Sequence, residues 1–344
     1  MIKILAFPKN RFSQNPHISN FYKQIEKSDD FIVKDLTAIN AFVEKFDIFH
    51  LHWPEFFIVR SPVKCFFRLS FFAILIIFLK IRRTKIVWTV HNLQPHNNIY
   101  PQIYVFVLRF LSNFLSGITY FSHHSKSLVQ NEFPFISSIP NYIIQHALYD
   151  YDRTPLPQTI SHFQKALALK KDAKLALFFG RIDHYKDIET LIIEFKKLPQ
   201  QDYQLAIVGP CSDDNLFSHL TALSSRSKNI VILQSFIPEE DLASLFSMAE
   251  LIILPFKKIL NSGSVMLSLS FGKPVLVPAM GSIIEIQNIV GKSSVITYGQ
   301  LTTNVIKQSF SEAQIPDPNK LNTFSLEIIG KMYQDFFCQI KHYK

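Results

Sequence analysis

The sequence predicts an α/β protein made of two doubly wound, Rossmann-like domains in tandem. Short apolar runs rich in β-branched and aromatic residues alternate with segments of helical period along the chain. The polar segment 150–159, which contains two prolines, interrupts this alternation and has the composition of a linker. The length of 344 residues suits two domains of ordinary size.

The first half contains four predicted strands with helical patterns between them. The strands are predicted at 2–7, 47–52, 86–90 and 118–121, and the helices around 65–81, 101–116 and 124–131. Alternation of this kind predicts a parallel sheet with helices on both faces.

After the linker the alternation restarts. Further strands are predicted at 175–180, 203–209, 230–233, 250–255, 274–278 and 294–297. The segment 187–198 has a helical apolar stripe, and the tail 322–342 is predicted to be a last helix. We therefore expect one domain at 1–152, completed by a crossover helix within 322–344, and a second at 153–321. Ligands of such domains bind outside the carboxyl ends of the strands, so two facing domains would form a central cleft.

Composition and charge narrow the class of protein. A hydrophobic content of 48% with 18% charged residues argues against disorder. Residues 1–150 hold 16 Lys and Arg against 9 Asp and Glu, whereas the remainder holds 20 against 18. The basic first half suggests an anionic partner, which could be a membrane surface, nucleic acid or a phosphorylated substrate. Three widely spaced cysteines indicate neither a disulfide framework nor a zinc knuckle, and the short apolar start does not predict a signal peptide.

The segment 69–79 is a run of eleven uncharged residues followed by Arg82, Arg83 and Lys85. A spanning helix needs about 20 apolar residues, so this run is predicted to be too short to cross a membrane. It suits either a buried core helix or an interfacial helix whose basic end rests on an anionic leaflet.

Two cations follow the first predicted strand of the second domain. The strand ends in Gly180, and Arg181 and Lys186 lie in the loop before the next helix. An Arg fork and a Lys point charge beside a helix N-terminus suit a diphosphate. The alternative is a solvated loop with chance charges, since basic loops are common.

The turn 261–264, Asn261-Ser262-Gly263-Ser264, precedes a helix expected to start near Val265. Its amides and hydroxyls could bind phosphate, or it could be an ordinary N-cap. Neither a P-loop nor a GxGxxG motif is present.

Histidines follow three predicted strands of the first domain. His50 and His52 bracket the end of one strand, His91 and His96 follow the next, and His123 and His124 follow a third. Each could be a hydrogen-bonded structural histidine. A metal site is poorly supported: His50 and His52 would share a face, but no third ligand has a suitable spacing.

These motifs together resemble a known family. The succession FFGRIDHYKDIETLIIEF, YQLAIVGP, IVILQSFIPEEDLASLFSMAELIILP and GSVMLSLSFGKPVLVPAMGSIIEI is similar to the nucleotide-binding domain of GT-B glycosyltransferases, in the group typified by bacterial mannosyl- and glucosyltransferases. The likeness is good over about 175–290. It is looser in the first half, through DIFHLHWPE, IVWTVHNLQPHN, FSHHSK and IPNYI.

The resemblance implies a donor site in the second domain. Arg181 and Lys186 match the residues that grip the donor diphosphate, and the turn 262–264 matches the loop that binds the distal phosphate. The segment 235–238 matches the place where backbone groups meet the base. The predicted donor site therefore comprises Gly180, Arg181, Lys186, Phe236, Ile237, Asn261, Ser262, Gly263 and Ser264. Two glutamates that flank the turn in better-known members are replaced by Ile259 and Leu267.

We therefore expect a hexosyltransferase that moves a sugar from a GDP- or UDP-linked donor to a lipid-linked or polysaccharide acceptor in cell-surface glycan synthesis. Because both flanking glutamates are absent, inversion is favoured, with a general base supplied by the first domain. The candidates are His91, Glu55 and His52. No metal or other cofactor is expected, because the cations and the helix N-terminus would stabilise the leaving diphosphate.

The expected location is the cytoplasmic face of the membrane, in peripheral contact with anionic lipid and without nucleic acid. Three alternatives stay open: a GT-B-like epimerase or phosphorylase, a nucleic-acid-binding protein, and a non-catalytic homologue that binds sugar nucleotides.

Overall fold

The structure, a computed structural model, describes residues 1–9, 16–94, 100–261 and 263–342. Within these residues the chain forms two parallel sheets of six strands, flanked by helices, which confirms the predicted α/β class. Contacts divide the chain into two compact units. The N-terminal unit is Met1–Ala147 with Phe324–Lys344, and the C-terminal unit is Leu148–Thr323.

The N-terminal unit alternates strands with helices. Its strands are β1 Ile2–Phe7, β2 Phe31–Asp35, β3 Ile48–Leu51, β4 Lys85–Thr89, β5 Leu115–Tyr120 and β6 Asn141–Ile143. Its helices are α1 Pro16–Ile25, α2 Ala38–Val43, α3 Pro62–Ile81, α4 Pro101–Ser112 and α5 His123–Glu132, with 3-10 turns at Pro54–Phe57 and Pro134–Ile136. The strand order is β2-β1-β3-β4-β5-β6.

Strands β2 and β6 were not among the predicted strands. They are the two edge strands, and only alternate residues of β2 are buried. The long apolar runs used for prediction belong to strands that are covered on both faces, as every residue of β3 is. An edge strand needs fewer apolar residues, so it leaves a weaker signal.

The C-terminal unit has strands at all six predicted places. They are β7 Lys174–Phe179, β8 Tyr203–Val208, β9 Ile230–Leu233, β10 Leu251–Ile253, β11 Val275–Pro278 and β12 Val295–Tyr298. The helices are α6 Pro157–Ala166, α7 Ile188–Phe195, α8 Asp214–Ser224, α9 Glu239–Met248, α10 Gly263–Ser270, α11 Ile283–Val290, α12 Thr303–Glu312 and α13 Pro318–Leu321, with 3-10 turns at His184–Lys186 and Asn322–Phe324.

The last helix, α14 Leu326–His342, returns to the N-terminal unit. Its buried side chains join a core built from β1, α1 and neighbouring strands. The α14 members of this core are Ile329, Tyr333, Phe336, Phe337 and Ile340. The amphipathic tail therefore completes the first core.

The strand orders locate a switch point in each sheet. In the C-terminal unit the order is β12-β11-β10-β7-β8-β9, so the winding reverses between β7 and β10. In the N-terminal unit it reverses between β1 and β3. Ligands of open α/β sheets bind outside the carboxyl ends of the strands at such points.

Helix α3 differs from its prediction. It has 20 residues and is the one described helix that is long and apolar enough to cross a membrane by length and composition, so the prediction that this segment is too short to cross is wrong about its length. The sequence obscures this because Lys64 and Arg68 interrupt the apolar run. One face of α3 is buried in the unit's own core, through Cys65, Phe72, Leu75, Ile76 and Leu79.

Candidate functional site

Next to the switch point of the C-terminal unit, the ends of β7 and β8 approach each other closely. Gly180 follows β7 with φ +128°, and Gly209 follows β8 with φ +159°. A Cβ on Gly209 would lie 1.9 Å from the carbonyl oxygen of Gly180, so no side chain fits there. The chain can therefore turn sharply and place Arg181 directly after the strand. The Arg181 side chain is exposed.

Lys186 is the second cation of this loop, and its side chain is buried. Its ammonium nitrogen lies 4.2 Å from the ring centre of Phe256 and 5.0 Å from that of Tyr185. Burial lowers the pKa of Lys186 to about 7, while Asp183 acts weakly in the opposite direction. An anion bound here would restore the full charge, so the site is suited to a phosphate group.

The loop that carries Lys186 is bound to the loop that follows β10. The backbone N–H of Lys257 donates to the carbonyl of Tyr185 over 2.9 Å, and its ammonium group lies 3.0 Å from a carboxylate oxygen of Asp187. Asp187 adopts a left-handed conformation with φ 49°, and it accepts a hydrogen bond from Thr190 at the start of α7. These bonds connect the loop after β7, which carries Lys186, to the loop after β10, which carries Phe256. They therefore keep Lys186 next to Phe256.

Helix α10 starts beside this pair of loops. It begins at Gly263, two residues before the predicted start, so Gly263 and Ser264 lie in its first turn. A Cβ on Gly180 would be 3.5 Å from the hydroxyl of Ser264, which brings the first predicted loop and the predicted turn together. Asn261, the first residue of the turn, is half-buried, and Ser262 lies outside the described residues.

Tyr149 is a further residue at this turn that sequence reasoning missed. Its backbone N–H donates to the hydroxyl of Ser270, and a Cβ on Gly263 would be 2.8 Å from its hydroxyl. Burial raises the pKa of Tyr149 to about 12, so the phenol keeps its proton and can serve as a donor. Tyr149 lies immediately before the predicted linker and far from the motifs in sequence, so no pattern marked it.

Ile259 and Leu267, which stand at the positions of the two flanking glutamates, are both apolar. Leu267 lies in the buried part of α10, and Ile259 lies in the preceding loop. That loop is held by the turn after β11, where the hydroxyl of Ser282 donates to the carbonyl of Leu260. Gly281, with φ 60°, lies in the same turn, and a Cβ on it would be only 3.0 Å from the carbonyl oxygen of Ile259.

The predicted base-binding residues follow β9, the edge strand of this sheet. Ile237 is buried, whereas Phe236 is 63% exposed. Strand β9 is two strands from β7, a lateral distance of about 10 Å. These residues are therefore separated from Lys186 and the start of α10, and they lie on the side of β7 opposite β10.

The N-terminal unit brings three predicted histidines together. The rings of His50 and His52 have centres 4.3 Å apart at the end of β3, and Nδ1 of His52 lies 2.8 Å from Nε2 of His91 after β4. The hydroxyl of Tyr22, from α1, lies 2.8 Å from Nδ1 of His50 and 2.7 Å from Nε2 of His52. Both ring nitrogens of His52 are thus engaged.

His91 is the outermost of the three linked histidines. It is half-buried, and its ring lies 4.5 Å from that of Trp53 and 5.1 Å from that of Phe121. Burial lowers the pKa of His91 well below its usual value, and the neighbouring His52 and His146 act in the same direction. The ring is therefore neutral near pH 7.

Glu55 lies close to His91 in the 3-10 turn Pro54–Phe57. Its side chain is hydrogen-bonded to Asn92, the residue after His91. Burial raises the pKa of Glu55 to about 7, and hydrogen bonds from its own backbone and from Asn92 partly oppose the shift. A carboxyl with this pKa can exchange a proton near neutrality.

The other predicted histidines lie elsewhere. His123 and His124 are exposed in the first turn of α5, after β5. His96 lies outside the described residues. Among the residues that the structure describes, no three His, Cys, Asp or Glu side chains are grouped so that they could hold a metal ion.

Comparisons with known proteins find relatives of this chain. The family model described as glycosyl transferases group 1 matches residues 160–289, the part of the chain that carries Gly180, Arg181, Lys186 and helix α10. A relative from Xanthomonas campestris pv. campestris, a GDP-mannose:glycolipid 4-beta-D-mannosyltransferase, is 26% identical over 303 residues, which cover 86% of this chain and 78% of the relative.

Solved structures give the same fold. HepE of Anabaena, in complex with UDP and glucose, is 14% identical with a TM-score of 0.71, over 98% of this chain and 100% of HepE. A glycosyltransferase from Rickettsia africae is 16% identical with a TM-score of 0.65, over 100% of this chain and 99% of that protein. The predicted resemblance to GT-B glycosyltransferases is confirmed.

Proposed function

We propose that this GT-B protein, a hexosyltransferase with a group 1 glycosyl transferase domain, transfers mannose from GDP-mannose to a glycolipid acceptor. The observation that carries the proposal is the convergence of Gly180, Arg181, Lys186 and the first turn of α10 at the switch point. The GDP-mannose:glycolipid relative, similar over most of both chains, supports the choice of donor and acceptor.

The C-terminal unit would bind the donor and stabilise the leaving group. Arg181, Lys186 and the N-terminus of α10 would bind the diphosphate, and Tyr149 would donate a hydrogen bond to it. The exposed ring of Phe236 would stack on the base. With a cation and helix amides in these positions, the charge that develops on the diphosphate is stabilised without a metal ion.

The N-terminal unit would supply the general base. The base takes the proton of the acceptor hydroxyl, the oxygen bonds to the anomeric carbon, and the bond from that carbon to the diphosphate breaks. His91 is neutral and lies at the rim of the buried histidine chain, so it is our first candidate. Glu55 is the second candidate. His52 holds His91 in place, because both of its nitrogens are already hydrogen-bonded.

We favour inversion at the anomeric carbon. The place where a carboxylate could act from α10 is occupied by Leu267, which is buried and apolar. The relative is named as forming a β-mannoside, and mannose is α-linked in GDP-mannose, so such a transfer inverts the centre.

The acceptor proposal includes contact with a membrane through α3. The face of α3 opposite its buried residues is apolar and exposed over the full length of the helix, through Val63, Phe66, Phe67, Ile74, Ile77 and Ile81. Exposed cations border this face: Lys64, Arg68, Lys80 and Arg83. An apolar stripe with a basic border suits a helix lying in the surface of an anionic leaflet.

Spanning the bilayer would be unfavourable for α3. Phe72, Leu75, Ile76 and Leu79 would have to leave the protein core. The guanidinium of Arg82 is also bound inward, to the carbonyls of Phe42 and Glu44. The location we propose is peripheral, on the cytoplasmic face.

The test is a donor panel of GDP-mannose, UDP-glucose and UDP-N-acetylglucosamine, each with a glycolipid acceptor and read by nucleotide release. We expect turnover with GDP-mannose in the presence of EDTA, and the anomeric proton of the product, read by NMR, to report a β linkage. Binding of GDP-mannose without release of GDP would instead favour a non-catalytic sugar-nucleotide-binding homologue, which the apolar Ile259 and Leu267 make the second candidate.

A further inference from the structure

An aromatic corner borders both main candidates for the base in the N-terminal unit. It consists of Trp53, two residues after the end of β3, and Phe56, in the 3-10 turn that follows. The centres of these two rings are 5.6 Å apart and their planes meet at 68°. The centre of the Trp53 ring lies 4.5 Å from that of His91, and Glu55 is the residue before Phe56. The aromatic corner therefore lies beside the acceptor hydroxyl whether His91 or Glu55 takes its proton.

The aromatic corner is more exposed than the rings around it. Phe56 is 37% exposed, and Trp53 is half-buried. Four neighbouring rings of this unit are buried, namely those of Phe7, Phe57, Tyr104 and Phe121. Among these six aromatic side chains, the aromatic corner thus provides the surface that a ligand can contact.

The aromatic corner also lies where this fold is expected to bind ligands. The switch point of the N-terminal sheet lies between β1 and β3. Trp53 and Phe56 follow β3, and the ring of Phe7, the last residue of β1, has its centre 6.2 Å from that of Phe56. The two rings are therefore held at the carboxyl ends of both strands that flank the switch point.

The position of the base limits where the acceptor sugar can lie. The reacting hydroxyl must come within hydrogen-bond reach of the base, about 3 Å. The sugar ring that carries this hydroxyl then contacts the residues next to the base, and the aromatic corner is the exposed apolar surface there. A pyranose has C–H groups on its faces and hydroxyls at its rim. An aromatic ring can cover such a face and bury apolar area, while the hydroxyls at the rim remain free to bind polar groups.

We propose that Trp53 and Phe56 form the acceptor subsite, in which they bind the terminal pyranose of the glycolipid against its C–H face and so present its hydroxyl to the base. This role rests on the proposed function, because it assigns the bound sugar as the acceptor. Binding of a pyranose to the aromatic corner is a property of the protein without donor, so it can be measured apart from transfer.

The first test is a titration of the wild-type protein with octyl β-D-glucopyranoside below its micelle concentration, followed by tryptophan fluorescence. Every hydroxyl of β-D-glucopyranose is equatorial, so both of its faces present C–H groups. We expect a saturable change in emission that is lost in Trp53→Phe, because Trp88, the other tryptophan of the chain, is 2% exposed. The octyl ether of glycerol, which has the same chain and no pyranose, should give no change.

Two results of this titration would overturn the proposal. One is an emission that does not respond to the glucoside. The other is an equal response to the glucoside and the glycerol ether, which would mean that the chain binds and the sugar does not.

The second test separates acceptor binding from the other steps, with the glycolipid acceptor and GDP-mannose. We expect Trp53→Leu and Phe56→Leu each to raise the acceptor KM by about 2- to 10-fold, the contribution of one aromatic contact, with the donor KM within about twofold of wild type. Trp53→Phe should restore most of the acceptor affinity. Phe56 is partly exposed, so Phe56→Leu should fold even if Trp53→Leu does not.

The matched control is Tyr142→Leu. Tyr142 lies on β6 and is half-buried, and it packs against the same core of the N-terminal unit as Trp53 does. This variant should keep the wild-type acceptor KM. If Trp53 and Phe56 only supported the fold around His91, their Leu variants would lower kcat or stability and leave the acceptor KM unchanged, and that result would overturn the proposal.

Failure of the proposed function has a different signature. A wild-type protein whose emission responds to the glucoside, but which turns over no donor, would support the pyranose subsite and contradict sugar transfer. Turnover of GDP-mannose with an unchanged acceptor KM in both Leu variants would support transfer and contradict the subsite.

Discussion

The ammonium nitrogen of Lys186 lies 4.2 Å from the centre of the Phe256 ring, so a cation of the proposed donor site is enclosed by apolar surface. A buried lysine in an apolar environment is costly to charge, as its pKa of about 7 reflects. A diphosphate bound there, as we propose, would supply the missing counter-charge.

Removing either cation should weaken donor binding. We expect Lys186→Met and Arg181→Ala each to reduce the binding free energy of GDP by about 1.5–3 kcal/mol, the size of a hydrogen bond to a charged group. Calorimetric titration with GDP measures this, with Lys307→Met, an exposed lysine on α12, as the control. Wild-type affinity in both site variants would remove the diphosphate assignment.

Donor binding should take up a proton near pH 7.5. The pKa of Lys186 is about 7 in the empty site, and the diphosphate is expected to raise it, so the affinity for GDP should fall as pH rises above 7. Calorimetry in two buffers of different ionisation enthalpy measures the uptake. Lys186→Met should abolish the uptake, whereas equal uptake in the variant would mean that another group titrates.

The two main candidates for the base can be separated by substitution. We expect His91→Ala to lower kcat by about 10²- to 10⁴-fold, as for a lost general base. Glu55→Gln should have a smaller effect that acts through Asn92. A near wild-type rate in His91→Ala, combined with an inactive Glu55→Gln, would assign the base to Glu55.

Glu55 should also affect stability as a function of pH. Its pKa is raised from 4.5 to about 7, so the folded state keeps this proton to a higher pH than the unfolded state does. Its contribution to stability is therefore lost as pH rises from about 4.5 to 7. As the pH rises from 5 to 8, the free energy of unfolding of Glu55→Gln should increase by about 1–3 kcal/mol relative to that of the wild type. Denaturant unfolding at a series of pH values measures this difference. Parallel profiles of unfolding free energy against pH in the two proteins would contradict the raised pKa of Glu55.

The apolar face of α3 should bind anionic vesicles. We expect the wild-type protein to sediment with vesicles containing phosphatidylglycerol at low salt, and the double variant Phe66→Gln/Phe67→Gln to remain in the supernatant. Phe66 and Phe67 are 67% and 66% exposed, so the substitutions should not destabilise the fold. The control is Ile315→Gln, which alters an exposed apolar residue of the C-terminal unit. Wild-type protein that does not sediment would contradict the membrane proposal.

The sequence predicted those features that depend on local pattern. Long buried strands and helical stripes gave the α/β class, and the loops after β7 and β10 came from motifs at strand ends. The short edge strands β2 and β6 were not predicted, because a half-covered strand needs few apolar residues. The start of α10 was placed two residues late, within the usual uncertainty of a helix end.

The environment of each site residue could not be read from the sequence. Lys186 was predicted as a loop cation, but its burial depends on Phe256, 70 positions later in the chain. The histidines were identified at strand ends, whereas Tyr22 and Tyr333, which lie against them, come from helices near the two ends of the sequence. Such contacts join residues that are far apart in the sequence and depend on the topology of the fold, so no local sequence pattern predicts them.

The helix α3 and the turn that carries Glu55 are joined: the guanidinium of Arg68 donates to the carbonyl of Phe56 over 3.2 Å. A lipid-bound α3 would thus hold this part of the N-terminal unit at a set height above the bilayer. An acceptor anchored in the same leaflet would then reach the base by lateral diffusion, a search in two dimensions. Glycolipids would be favoured over free sugars by geometry alone, even if the base accepted either hydroxyl equally well.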